Sequence, residues 1–311
     1  MDKQQTALIL GRSGRFGRAV ADAFEKAGWK VRGFTRGRDD IDAAARGADV
    51  IVMGWNPPYT QWAAELPGLH ARVRRAALAA DATVILPGNV YVFGPGQGMP
   101  WDESTPHRAT NPLGRLRIDM EAAYRAEGVR TILLRAGDFL DTQPSGNWFD
   151  KVLVRELPRG VLRYPGTPDI PHAWAWLPDM ARAAVALAER RGTLRRFEDV
   201  PFPGLTMSGN EMARALARLR GHAVRVKPLA WWQLKLARPV MPMAGPLMEM
   251  RYLWDTPHRL SGRKFDALLP GFRHTPAPEA LRGAIAHLPA PAGRRGGAAD
   301  HGQAISTQTS R

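Results

Sequence analysis

Gly11-Arg12-Ser13-Gly14-Arg15-Phe16-Gly17 stands between the apolar run Thr6-Ala7-Leu8-Ile9-Leu10 and an amphipathic stretch, Phe16 to Ala27, that closes at Gly28. The uninterrupted apolar run reads as a strand buried on both faces, and the periodic stretch ending in glycine reads as a helix. At the junction each glycine has its own use. Gly11 permits a tight turn, Gly14 allows a ligand to approach the backbone, and Gly17 lets the helix pack near the strand. A helix that opens on such a loop offers free N–H groups and a partial positive charge, which suits a pyrophosphate. The segment Gly11, Arg12, Ser13, Gly14, Arg15, Phe16, Gly17 is therefore the expected dinucleotide loop.

Outward from this loop the pattern repeats. Trp29 to Phe34 and Asp49 to Met53 read as strands, Gln61 to Ala80 as an Ala-rich helix, and Thr83 to Leu86 as a strand ending at Pro87-Gly88. Ile118 to Ala126 predicts a helix and Arg130 to Leu134 a strand; the connection from Arg36 to Asp49 leaves room only for a brief strand near Asp40-Ile41. Alternating strands and helices with short connections imply an α/β fold, a Rossmann-type doubly wound parallel sheet. Beyond about Gly137 the order loosens. Helices are expected from Pro178 to Arg190 and from Ser208 to Arg220, and a mainly helical apolar segment from Trp231 to Trp254, broken near Pro239 and Pro242. This predicts residues 1–140, with part of 141–200, as the nucleotide-binding domain. Residues 141–288 would form a smaller helix-rich C-terminal substrate domain, and 289–311, rich in Ala, Gly and Pro, a disordered tail.

Composition narrows the functional classes. The 311 residues contain no cysteine, which excludes disulfides, thiolate catalysis and Cys-based zinc sites. The eight histidines show no H-x-x-x-H or H-E-x-x-H spacing, so no metal is expected, and a Gly-x-Ser-x-Gly elbow is absent. The polar start of the chain is not a secretory signal, and no uncharged run is long enough to span a bilayer. A cytoplasmic protein with no membrane partner is expected. The net charge of +15 comes from 44 Lys and Arg against 29 Asp and Glu, scattered rather than blocked, so no specific nucleic-acid partner is expected.

The end of the second strand bears on the cofactor. An NAD site usually carries Asp or Glu there, for the ribose 2′-hydroxyl. This chain has Thr35, then Arg36, with Arg38 close by and Arg12 in the loop. A guanidinium suits a 2′-phosphate, so NADP is expected, with NAD the second choice.

The spacing G-x-x-G-x-x-G, with Ala48-Asp49-Val50-Ile51-Val52, Pro87-Gly88-Asn89-Val90-Tyr91-Val92-Phe93-Gly94, Leu134-Arg135-Ala136-Gly137-Asp138-Phe139, Trp176-Leu177-Pro178-Asp179-Met180-Ala181 and Leu268-Leu269-Pro270-Gly271-Phe272, resembles the NAD(P)-dependent epimerase/dehydratase family of extended short-chain dehydrogenases/reductases. The resemblance implies a catalytic Ser or Thr three residues before a Val-Tyr-Gly, and a Tyr-x-x-x-Lys on the next helix. Here Asn89 takes the Ser/Thr place, Leu113 the Tyr place and Arg117 the Lys place; no Tyr-x-x-x-Lys occurs anywhere in the chain. Leucine cannot exchange a proton. One reading is an atypical NADP-dependent oxidoreductase or epimerase, acting on a small carbonyl, hydroxyl or sugar-type substrate. Its candidate catalytic residues are Asn89, Tyr91 and Arg117, with Arg117 depressing the Tyr91 pKa. Tyr91 can equally pack as an aromatic beneath the cofactor. The other reading is a non-catalytic NADP(H)-sensing regulator of the NmrA-like kind, for which a missing Tyr is expected. The resemblance makes a homodimer plausible.

Asn56, after the Asp49 strand, either hydrogen-bonds the cofactor or begins a turn. Asp138, Trp148 and His172 are candidate substrate-side residues; His172 serves either as an acid/base near neutral pH or as a packed histidine beside Trp174 and Trp176.

Overall fold

The structure is a computed structural model describing residues 4–289. Of the expected tail, only Pro289 falls within the described residues. The chain begins β1 (Thr6–Leu10), α1 (Arg15–Lys26), β2 (Lys30–Phe34), α2 (Ile41–Ala45), β3 (Val50–Met53), α3 (Trp62–Ala79), β4 (Thr83–Asn89), α4 (Pro112–Ala126) and β5 (Thr131–Ala136). There follow β6 (Asp138–Leu140), β7 (Val161–Tyr164), β8 (Ala173–Trp176), α5 (Leu177–Glu189), β9 (Phe197–Pro201), β10 (Leu205–Thr206), α6 (Gly209–Arg220) and β11 (Arg225–Pro228). The chain closes with α7 (Trp231–Ala237), α8 (Ala244–Glu249), α9 (Arg263–Leu268) and α10 (Ala277–Ala284).

Six parallel strands form the main sheet in the order β2-β1-β3-β4-β5-β9. The order in which strands are added reverses beside β1, which makes the crevice outside the carboxyl ends of β1 and β3 the natural ligand position. Alternation within β1 shows why the sheet is doubly wound. Ala7 and Ile9 face a core shared with Phe16, Val20 and Phe24 of α1 and with α5, while Leu8 and Leu10 face a core shared with Leu69 and Val73 of α3 and Met120 and Tyr124 of α4.

Several boundaries differ from the sequence expectation. Residues near Asp40-Ile41 form the one-turn helix α2 rather than a brief strand, because the Asp40 carboxylate caps it by accepting from the Ala43 N–H at 2.7 Å. Helix α4 starts six residues earlier than the predicted Ile118, with Pro112 in its first turn, the place where a missing N–H is harmless. Strand β4 runs on through Pro87 and Gly88 to Asn89, carrying the expected site residue to the sheet edge. Helix α6 starts on a capping box between Ser208 and Glu211 and ends at left-handed Gly221, as its sequence implies. The region after β5 holds more strand than expected: β10-β8-β6 and β11-β7 make two small sheets, and β9 returns to the main one.

Candidate active site

The Gly11–Gly17 turn sits at the carboxyl end of β1. Gly11 adopts φ +77°, and a methyl at Gly17 would overlap the Gly11 carbonyl oxygen, so the start of α1 lies against the turn with only glycine between them. Gly54, directly after β3, closes in from the other side, where a side chain would run into the Leu10 carbonyl and the Gly17 backbone. Gly14 is the N-cap of α1 with no side-chain cap, and the first turn holds no acidic residue. Open N–H groups, a positive helix end and a cradle that any Cβ would fill are what a pyrophosphate requires, so the residues present fit a dinucleotide. Gly54 was legible as a glycine at a strand's carboxyl end, yet the sequence reading passed over it.

The cations expected near a 2′-phosphate are at the right edge. The Arg12 side chain lies where a side chain at Gly33 of β2 would meet it, and it pairs with Glu25 at 2.6 Å, while Arg36 pairs with Glu65 at 2.6 Å. Both pairs are largely exposed, where ion pairs exchange readily. The last acidic group in this turn, Asp39, is turned back to accept from the Thr35 N–H at 2.7 Å. Asn56 is exposed and makes no side-chain hydrogen bond among the described residues.

On the other side of this edge two phenols meet. The Tyr91 Oη lies 2.6 Å from the Tyr59 Oη, with Tyr59 on a 3₁₀ turn (Tyr59–Gln61) leading into α3. The Asn89 side chain accepts from the Tyr91 N–H at 3.1 Å and so holds the 3₁₀ turn Val90–Val92 that presents Tyr91. Burial raises the pKa of both phenols, well above 10 for Tyr91, where the neighbouring Tyr59 and Asp138 add to the effect. Burial outweighs the expected depression of Tyr91 by Arg117, although the two groups feel each other's charge. The Arg117 guanidinium donates to the Pro87 carbonyl at 2.6 Å and lies over the Trp62 ring, and its positive charge, with that of Arg15, also opposes burial at Tyr59. Tyr91 is therefore a neutral phenol at ordinary pH, able to donate a proton rather than to start as a phenolate. Tyr59 had no signal in the sequence.

Leu113 is buried among Trp62, Leu66, Val90, Val92 and Phe93, which fills the family's Tyr position with core. The start of α4 is held from outside by Glu249 of α8, which accepts from the Asn111 side chain at 2.8 Å and the Leu113 N–H at 2.6 Å.

Asp138 and His172 come together, their Oδ2 and Nε2 2.8 Å apart. The His172 ring is 2% exposed, stacked on Trp254 with centroids 4.4 Å apart, and Trp254 in turn packs on Trp148. The ring is thus packed, as one reading expected, and also paired to a carboxylate that is partly exposed. Next to it, His258 donates from Nδ1 to the Thr256 carbonyl at 2.8 Å and stacks on Trp101 at 4.9 Å; burial and His172 hold its pKa down to about 3, so it is neutral. Trp254 and His258 were not anticipated.

Beneath Asn89 lies a buried ion cluster. Arg135 donates to Asp199 at 2.6 Å, to Glu121 at 2.8 Å and to the Asn89 carbonyl at 2.8 Å. His107, Glu121 and Asp199 bring ligand atoms within 4.8 Å of one another, but the guanidinium occupies the space between the carboxylates and satisfies their charge.

No protein-family profile and no curated protein matches the chain. Solved structures do. The chain is similar to MoeE5 in complex with UDP-glucose and NAD, at 15% identity and a TM-score of 0.70, over 91% of this chain and 97% of that one. It is similar to a nucleoside-diphosphate-sugar epimerase from Pseudomonas aeruginosa (17% identity, TM-score 0.69, 91% and 97% covered) and to UDP-glucose 4-epimerase from Brucella ovis in complex with NAD (19%, 0.66, 91% and 98%). At such identities the likeness establishes a shared fold, a Rossmann-type parallel sheet flanked by helices.

Proposed function

We propose that this protein binds a nicotinamide dinucleotide at the Gly11–Gly17 turn and uses it in epimerase, dehydratase or reductase chemistry on a nucleotide-linked sugar. The observation that carries the reading is the uncapped start of α1 in its glycine cradle, opening beside the Tyr59–Tyr91 pair at the same sheet edge. The neighbours in fold that hold NAD and UDP-sugars support it. Gly14, Arg15 and the N–H groups of the first turn of α1 would hold the pyrophosphate. Arg36 and Arg12 would exchange their exposed carboxylate partners for a 2′-phosphate, which favours NADP over NAD. When bound, the nicotinamide ring supplies or accepts hydride.

The chain's own residues then manage protons. Tyr91 holds one at Oη, hydrogen-bonded to Tyr59, and Asp138, hydrogen-bonded to His172, is near enough to act on both phenols electrostatically. Asn89 positions Tyr91 through its backbone N–H. The buried Leu113 favours a second reading, a sensor of the bound cofactor without turnover.

The test titrates the purified protein with NADPH and NADH by fluorescence, then follows nicotinamide absorbance and sugar product with UDP- and dTDP-linked sugars. Tight NADPH binding and turnover of one sugar class support the proposal. Binding without turnover on any sugar supports the sensor, and no binding of either dinucleotide overturns both.

A further inference from the structure

Among the described residues five large apolar side chains are exposed, and three belong to one short stretch: Trp232 (62%), Leu236 (71%) and Val240 (85%). They recur every fourth residue on α7 and the turn that continues it, where the Val240 and Met241 N–H groups both bond back to the Ala237 carbonyl. At about 100° per residue, Trp231 and Leu234 point to the core while Trp232, Leu236 and Val240 form a separate outward stripe roughly 80° wide. Lys235 sits at the margin of that stripe, where its stem can lie along the apolar surface and its ammonium reach outward.

Charge marks what this stripe faces. From Met212 to Met248 the chain has no acidic residue and seven basic ones: Arg214, Arg218, Arg220, Arg225, Lys227, Lys235 and Arg238. All but Arg220 are exposed, and none of the seven enters a salt bridge among the described residues. The acidic groups around this stretch are already used: Glu211 by the Ser208 capping box, Glu156 by Arg163, Asp255 by Arg251, and Glu249 by the start of α4.

We propose that α7 and its following turn dock on an anionic lipid surface, with Trp232, Leu236 and Val240 entering the headgroup boundary and Lys235, Arg238 and the neighbouring Lys227 and Arg225 held by lipid phosphates. An apolar stripe bordered by cations, on a chain of net charge +15, has the two attractions that interfacial binding requires. A second copy fits less well, since a symmetric contact would set two uncompensated basic segments against each other. The absence of a spanning run, on which the sequence expectation of no membrane partner rested, does not bear on a helix that lies in the interface. The inner face of α7 gives this position a consequence. Trp231 packs on Trp148, which packs on Trp254, which stacks on His172, so a chain of ring contacts joins the docked helix to the candidate active site. The proposal stands independently of the dinucleotide reading.

The test is sedimentation of the full chain with phosphatidylcholine vesicles, with and without phosphatidylglycerol. The wild-type chain should pellet only with the anionic vesicles and be released by raised salt. Trp232→Ser/Leu236→Ser should bind about tenfold more weakly, and Lys235→Glu/Arg238→Glu should lose the preference for anionic lipid, with melting temperatures unchanged at these exposed positions. Failure to bind anionic vesicles, or binding by both variants equal to that of the wild-type chain, overturns the proposal. So does a concentration-dependent dimer that the Ser variant dissolves, or oligonucleotide binding that the Ser variant abolishes while vesicles are ignored.

Discussion

The Gly11–Gly17 turn and the Tyr59–Tyr91–Asp138–His172 group share one sheet edge but are assembled by different means. The turn is made of backbone within seven consecutive residues, and its shape follows from what glycine lacks. The other group is made of side chains from four separate segments, held by hydrogen bonds that span 32 residues between the phenols and 34 between Asp138 and His172. A site of the first kind tolerates change around it and fails at single backbone positions. A site of the second kind depends on the packing that brings its parts together, here the buried Arg135 cluster and the His172–Trp254 and Trp101–His258 stacks.

The sharpest way to break the comparison is to remove that support. Arg135→Met leaves the carboxylates of Glu121 and Asp199 buried without their cation and frees the Asn89 carbonyl. It should cost about 3–5 kcal/mol, read as a large fall in the unfolding midpoint. Wild-type stability would show that the cluster carries no load for the reaction side.

Acid should act on the same side. His258 has its pKa lowered from 6.5 to about 3, so between these values the unfolded chain takes a proton that the folded chain refuses. Stability is complete above about pH 6.5 and declines as pH falls toward 3, by up to roughly 1.4 kcal/mol per pH unit from this residue. His70, also buried and lowered, acts with the same sign. His258→Phe keeps a ring over Trp101 and should flatten part of this acid limb in denaturant titrations at several pH values. An unchanged slope would remove His258 as its source.

A matched pair of variants then separates the two regions. Tyr91→Phe should lower kcat by at least ~100-fold with dinucleotide affinity intact, because only the proton at Oη is lost. Gly17→Ala should do the reverse, weakening the dinucleotide by about 1–3 kcal/mol as the methyl displaces the Gly11 carbonyl. If both variants lose affinity equally, the regions are one unit and the contrast drawn above is wrong.

Legibility followed the same division. The glycine turn, the strands flanking it and the bounds of α6 could be read because their physics is local: a missing Cβ, a two-sided apolar run, a helical stretch stopped by glycine. Tyr59 could not be read, since nothing in Asn56-Pro57-Pro58-Tyr59 indicates that its hydroxyl meets one 32 residues later. The Arg117 expectation failed for a related reason. Spacing placed a cation one helical turn beyond Leu113, but the Pro87 carbonyl and the Trp62 ring decide where that cation points, and both lie on other elements. Asp138 and His172 were each visible as candidates, while their pairing required β6 and β8 to be neighbours.

The smallest expected effect tests the outer rim of the backbone-built site. Arg36 rests on Glu65 through an exposed pair, so removing it leaves the fold untouched, and any change in binding reports the ligand alone. Arg36→Ala should weaken NADPH by about tenfold, near 1.4 kcal/mol, and leave NADH unchanged, since only the former carries a 2′-phosphate for the guanidinium to clasp. Arg36→Lys should recover part of that loss, because a point charge attracts the phosphate without the bidentate fit. Equal weakening of both dinucleotides would place Arg36 at the pyrophosphate or in loop structure. Stronger NADH than NADPH binding by the wild-type chain would instead show that Thr35 and the backbone of β2 serve an unphosphorylated ribose.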